Sequence, residues 1–199
     1  MRILAVSDVE SNFIWEHFDP EVFRGVDLII SCGDLKSSYL QFLVSMIPAP
    51  LFYIHGNHDG HYMTMPPLGC ISIDGLVAQF RGLRIGGLGG CRGTRPDGMQ
   101  YTEIAMARRV QRFRREIKRS RGLDVFVTHA PPTGFGSEDD EFHAGFDCFR
   151  NLTLEYEPDL HLYGHVHLSG NPVNKHAAGT LGKTSVVNCT GYRFITINN

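Results

Sequence analysis

Gly56-Asn57-His58-Asp59 and Gly164-His165-Val166-His167 each close an apolar run that reads as a buried strand. Leu51-Phe52-Tyr53-Ile54 precedes the first, and Leu160-His161-Leu162-Tyr163 the second. A glycine followed by imidazole and amide groups at a strand end puts nitrogen and oxygen donors on a rigid edge, where a metal site is easiest to build. Three more runs end in the same way. Ile3-Leu4-Ala5-Val6 leads into Ser7-Asp8, Leu28-Ile29-Ile30 into Cys32-Gly33-Asp34, and Val125-Phe126-Val127 into Thr128-His129. Five strand ends thus deliver Asp, Asp, Asn/His, His and His/His, a concentration that chance does not explain in a chain of 199 residues.

The order Asp8, Gly33-Asp34, Gly56-Asn57-His58-Asp59, His129 and Gly164-His165-Val166-His167 resembles the calcineurin-like metallophosphoesterase family. The resemblance runs from residue 4 to about residue 190. The Gly-Asn-His-Asp and Gly-His-x-His pieces are specific. Gly-Asp and the lone His129 gain force from order and spacing. The fold it implies is α/β: a four-layer αββα sandwich of two mixed β-sheets flanked by helices.

Length suits one compact domain, residues 1–199, with material for a sizeable core. Met1 to Val6 is apolar, but Asp8 cuts it too short for a signal peptide, so it reads as a first buried strand. No apolar run is long enough to span a bilayer. Five cysteines, Cys32, Cys70, Cys91, Cys148 and Cys189, show no Cys-x-x-Cys spacing and point to reduced thiols in a cytoplasmic setting. All except Cys91, which sits in a glycine-rich loop, read simply as small buried hydrophobes.

The net charge of -2 predicts no global attraction to nucleic acid or membrane. Arg108, Arg109, Arg112, Arg114, Arg115, Lys118, Arg119 and Arg121 nevertheless crowd one segment. Met106, Val110, Phe113 and Ile117 recur there at helical spacing, which predicts an amphipathic helix with its apolar stripe on the core. The basic face over 108–121 is either an ordinary solvated face or a docking surface for an acidic partner.

The apolar pattern predicts strand 2–6, helix 11–23, strand 27–31, helix 37–46 and strand 51–55, a parallel β-α-β-α-β run with right-handed crossovers. Short strands follow at 70–72, 76–80 and 83–88, separated by Asp74-Gly75, a strong hairpin signal, and Arg81-Gly82, a weaker one. Then come helix 102–120, strand 123–128, helix 145–156, strand 159–163 and tail strands near 172–177, 183–188 and 192–197.

Phosphoester hydrolysis needs an attacking hydroxide, a stabiliser for charge on phosphorus, and a proton for the leaving oxygen. A pair of divalent metals supplies the first two. On the family's pattern Asp34 bridges the metals, and Asn57, His129 and His165 complete the second site. The first takes Asp8, Asp34, His167 and the residue two after Asp8. The family usually has histidine there; this chain has Glu10. A carboxylate makes that site harder, so Mn²⁺ is the expected ion, with Fe, Mg²⁺ or Zn²⁺ also admitted. Alternatively Glu10 swings away and leaves the first site weak. His58 resembles the family's catalytic histidine, with Asp34 or Asp59 as its supporting carboxylate. Arg92 and Arg95, in the glycine-rich segment, and His143 are candidates for binding substrate. His17, His55, His61, His161 and His176 read as structural or surface histidines.

The resemblance implies a metal-dependent phosphoesterase acting on a small phosphoester through a hydroxide bridging the two metals. The phosphoprotein phosphatases of the family carry Gly-Asp-x-Val-Asp-Arg-Gly; here the run is Gly33-Asp34-Leu35-Lys36-Ser37-Ser38-Tyr39. That argues against a protein phosphatase and toward a small phosphodiesterase. The rival expectation is a scaffold or binding protein with little catalysis, as in a retromer subunit of the same family, with Glu10 as its motive and His58 as the argument against it.

Overall fold

Uninterrupted apolar runs such as Ile3-Leu4-Ala5-Val6 require strands covered on both faces. The computed structural model supplies that cover; it describes residues 1–95, 99–136, 142–167 and 178–197. In chain order the elements are β1 (Arg2–Ser7), α1 (Asn12–Trp15), β2 (Leu28–Ser31), α2 (Ser37–Met46), β3 (Leu51–Tyr53), β4 (Ile71–Ser72), β5 (Val77–Phe80), β6 (Leu83–Leu88), β7 (Cys91–Arg92), β8 (Gln100–Tyr101), α3 (Glu103–Arg119), β9 (Val125–Thr128), α4 (Asp147–Tyr156), β10 (Leu160–Tyr163), β11 (Ala178–Leu181), β12 (Thr184–Asn188) and β13 (Gly191–Thr196). A 3-10 turn, Asp59–Met63, follows β3.

Two mixed sheets result, ordered β13-β1-β2-β3-β4 and β11-β12-β10-β9-β6-β5, with β7 and β8 as a separate small pair. Strands β1 to β4 run parallel and β13 antiparallel to β1. In the second sheet β6, β9, β10 and β12 are parallel, with antiparallel β5 and β11 at the edges. Side-chain alternation sorts each strand between two cores. Ile3, Ala5, Leu28 and Ile30 meet Ile85, Val125, Val127 and Leu162 between the sheets. Leu4, Val6 and Ile29 pack on Ile14, Leu40 and Leu43 of α1 and α2. Phe126 packs under Met106, Val110 and Phe113 of α3 and Phe149 of α4. The layers are therefore helices, sheet, sheet, helices.

Two expectations change. The helix expected over 11–23 is only α1; beyond it Asp19 Oδ1 accepts the Glu21 amide at 3.0 Å. Pro20 disfavours helical backbone at Asp19, and the local side-chain bond offers a turn instead. Asp74-Gly75 closes no hairpin, because β4 and β5 belong to different sheets; it carries the chain between them. The weaker signal, Arg81-Gly82 with φ of 47° and 86°, makes the β5–β6 hairpin. The tail divides between the sheets, β11 and β12 joining one and β13 the other. The strand expected near 172–177 lies outside the described residues.

Helix α3 carries the predicted stripe, with Met106, Val110, Phe113 and Ile117 buried and Thr102 Oγ1 capping the Ala105 amide. The five cysteines are free thiols. Burial pushes Cys91 up to about 12, which disfavours its reactive thiolate. Among the described residues, no helix is long and apolar enough to cross a membrane.

Candidate metal centre

The carboxyl ends of β1, β2, β9 and β10 deliver Asp8, Asp34, His129 and His165 to one place. One ligand atom from each lies within 4.8 Å of the others. Asn57, after β3, joins them through its Oδ1, 3.0 Å from His129 Nε2. Asp8, Asp34 and His165 hold left-handed backbone, with φ of 62°, 55° and 66°. Non-glycine residues reach that region at a cost of about 1–2 kcal/mol each, and such strain clusters at functional sites.

A mesh of backbone bonds holds these conformations. Asp59 Oδ2 accepts the amides of Asp34 and Gly56, both at 2.7 Å. Asp34 Oδ1 accepts the His58 amide at 2.7 Å, and Asp8 Oδ2 the His165 amide at 2.9 Å. The glycines of the two motifs are required by this closeness. A methyl group on Gly56 would overlap Asp34 Oδ1, and one on Gly164 would overlap Ser7 Oγ.

His129 shows most clearly what the centre is built to hold. Its Nδ1 faces the Cys32 carbonyl at 2.8 Å and so donates its hydrogen there. Its Nε2 faces Asn57 Oδ1 at 3.0 Å and Asp34 Oδ2 at 3.3 Å, two oxygen acceptors. Something positive must lie between them, a proton or a metal ion. Burial favours the neutral ring, but the charge of Asp34 outweighs it and raises His129 to about 9. Burial likewise pushes Asp34 up, and the His129 charge and hydrogen bond reverse this, leaving it at about 2. His165 goes the other way. Burial, then the neighbouring His129 and His143, lower it to about 3, a neutral ring. Its Nε2 donates to the Phe142 carbonyl at 3.1 Å, which leaves Nδ1 of the neutral ring unprotonated. Ligating histidines commonly use one nitrogen this way and present the other. Asp8 Oδ1 is buried with no hydrogen-bond partner among the described residues, a cost that a bound cation removes. The donor set therefore fits a divalent ion.

The remaining candidates are not gathered so closely. Glu10 turns to Lys36, accepting its backbone amide at 3.2 Å and its Nζ at 3.4 Å. His167 is exposed and lies outside the four-residue cluster. His58 is 80% exposed, with Nε2 4.0 Å from Asp34 Oδ2. Asp34 is thus its adjoining carboxylate, since Asp59 is spent on backbone amides and burial raises it to about 6. Arg92 is turned to the Gly145 carbonyl at 3.0 Å and to Glu103 at 4.0 Å. Arg95 and His143 share the wall of a cavity of about 250 Å³ with Asn57, His58 and His165. The His143 ring stacks on that of His165, their centroids 4.6 Å apart.

Several contributors carry no sequence signal. Thr190 Oγ1 donates to Asp8 Oδ2 at 3.3 Å. Arg109 grips Asp74 at 2.7 and 2.8 Å, and His55 stands 3.7 Å from the same carboxylate. His161, read as structural, is buried between the hydroxyls of Thr128 and Thr153, 2.9 Å from each. His176 lies outside the described residues.

The sequence profile of the calcineurin-like phosphoesterases matches residues 1–169. No curated protein matches the chain. Among solved structures, TT1561 of Thermus thermophilus is similar with a TM-score of 0.63 and 18% identity, over 96% of this chain and 89% of that one. A phosphopantetheinyl hydrolase from Mycobacterium tuberculosis is similar with a TM-score of 0.59 and 12% identity, over 94% and 88%. At such identities the likeness is one of fold.

Proposed function

The chain belongs to the calcineurin-like phosphoesterase family, and we propose that it is a divalent-metal-dependent phosphodiesterase acting on a small phosphodiester. The observation that carries this reading is His129 Nε2 held between Asn57 Oδ1 and Asp34 Oδ2, next to the orphaned Asp8 Oδ1. When bound, divalent ions supply neutralisation of phosphate charge and activation of water. Asp34, Asn57, His129 and His165 would hold one ion. Asp8, Asp34 and His167 would hold a second, weaker one, with Glu10 joining them on release from Lys36. Mn²⁺ suits this oxygen-rich set.

His58, exposed with its Nε2 4.0 Å from Asp34 Oδ2, would hand a proton to the departing oxygen. Arg95 and His143 border the same opening and would orient the ester's free oxygens. Arg92, engaged with Gly145 and Glu103, braces its loop instead of binding substrate. The free thiols fit a reducing, cytoplasmic compartment. A further proposal is that Arg108, Arg112, Arg115 and Lys118, exposed on α3 and without an ion pair among the described residues, meet an acidic partner.

The test is hydrolysis of bis(p-nitrophenyl) phosphate and p-nitrophenyl phosphate with added Mn²⁺. The reading expects turnover of the diester over the monoester, and a fall of at least about 100-fold in His58→Ala with metal content intact. A second reading, a metal-binding scaffold with little catalysis, is favoured by the Glu10–Lys36 contact and the exposed His167. Stoichiometric metal without turnover of either ester would select it.

A further inference from the structure

Next to the metal centre, at the carboxyl ends of β3 and β4, lies a second cavity of about 460 Å³, within the range of small-molecule sites. Asp59 borders both this cavity and the one that opens on Asp8, Asp34 and His58. Its lining is aromatic and soft: Tyr53, Tyr62 and Tyr101, with Met63 and Met99. Tyr53 and Tyr62 meet edge to face, centroids 5.6 Å apart, which fixes both rings. Tyr101 is fixed by a different device. The Arg109 guanidinium lies 4.4 Å from its ring centroid, and is itself held by Asp74 at 2.7 and 2.8 Å and by the Gly89 carbonyl at 2.6 Å.

The electrostatics select the ligand. Arg109 borders the cavity, but its charge is cancelled by Asp74, which borders it too, while Asp59 on the same wall adds a carboxylate already engaged by the amides of Asp34 and Gly56. No net cation is left for a second phosphate. Fixed aromatic rings, two adaptable thioethers and a neutral ion pair with spare hydrogen-bonding capacity suit a flat, uncharged ring system. We propose that this cavity receives the organic substituent of the substrate, a neutral planar aromatic or heteroaromatic ring, while the ester phosphorus sits at the metal centre. This rests on the phosphodiesterase reading for its connection to chemistry, though the cavity's preference for flat rings does not depend on it.

Binding is measured on the whole protein in excess EDTA, by NMR titration with adenosine, p-nitrophenol and ribose. Adenosine, p-nitrophenol or both bind, and ribose does not; which ring binds distinguishes a hydrogen-bonding heterocycle from a simple aryl group. Tyr101→Leu weakens the binding about tenfold, the scale of one aromatic stacking contact. Met63→Glu, at a position 78% exposed and so harmless to the fold, also weakens it. With Mn²⁺, bis(p-nitrophenyl) phosphate, which has a ring to spare, is preferred over methyl p-nitrophenyl phosphate, and Tyr101→Leu erases the preference. Equal turnover of the two esters, with no ring binding in EDTA, overturns the cavity's role and leaves the phosphodiesterase reading standing. Ring binding sensitive to both substitutions, without turnover of either ester, upholds the cavity's ligand and overturns the phosphodiesterase reading.

Discussion

At His129 a proton and a metal ion compete for one position. The ring is raised to about 9 by Asp34, against the opposing effect of burial. Because its folded value exceeds the ordinary 6.5, the proton stabilises the metal-free protein fully below pH 6.5, and this contribution is lost as pH climbs through about 9. A metal ion needs the neutral ring, so it must expel that proton. Mn²⁺ binding at pH 7.5 is therefore expected to release about one proton, and apparent affinity to rise about tenfold per pH unit up to about pH 9. Calorimetry in buffers of differing ionisation enthalpy reads this directly; a heat independent of buffer would contradict it. Gly56→Ala pushes a methyl into Asp34 Oδ1 and the Asp34 amide. It should cost about 2 kcal/mol in chemical denaturation and weaken Mn²⁺ binding at least tenfold, whereas undisturbed binding would show that this close approach is dispensable. Asp8, Asp34, Asn57, His129 and His165 were legible because each ends an apolar run. Asp59 was read only as a possible support for His58; that its carboxylate bonds amides 25 and 3 residues away is a relation only the folded turn creates. Nor does the spacing of Glu10 from Asp8 disclose that Lys36 stands beside it.

Among the elements, turns were the hardest to read. Asp74-Gly75 has the stronger hairpin composition, yet Asp74 is used as a tertiary anchor, accepting from the Gly89 amide at 2.7 Å and from Arg109. Arg81-Gly82 makes the hairpin because its flanking strands, β5 and β6, are the ones that pair. Composition reports what a dipeptide can do, and pairing decides what it does. Helix α3, by contrast, was read from its four-residue stripe to within a residue at each end, since burial on a helix is periodic. Arg109→Ala should cost about 2 kcal/mol, below the 3–5 of fully buried pairs because the Asp74 side chain is 24% exposed. It should also free the Tyr101 ring. Urea denaturation measures the first effect; a loss under about 0.5 kcal/mol would mean that Asp74 finds another donor.

For the whole molecule, the two-sheet sandwich was implied by the family resemblance of the strand-end motifs, but the sheet to which each strand belongs was not. Alternation reports that a strand has two covered faces, not which sheet covers them. Strand β13 shows the point, returning to pair with β1 along its full length, from Arg2↔Thr196 to Ser7↔Gly191. That pairing seats the last strand against the one that ends in Asp8, with Thr190 donating to the Asp8 carboxylate. Deleting residues from 191 onward should therefore abolish cooperative unfolding and metal binding together; a truncated chain that still binds Mn²⁺ would show that β1 holds Asp8 unaided. The centre draws its donors from both sheets, so its integrity reports on their packing. The most direct test is anomalous diffraction from crystals equilibrated with Mn²⁺. A strong manganese peak bound by Asp34, Asn57, His129 and His165 is expected, with a weaker one beside Asp8. A map with no manganese among these side chains, or with the ion bound elsewhere, would contradict it.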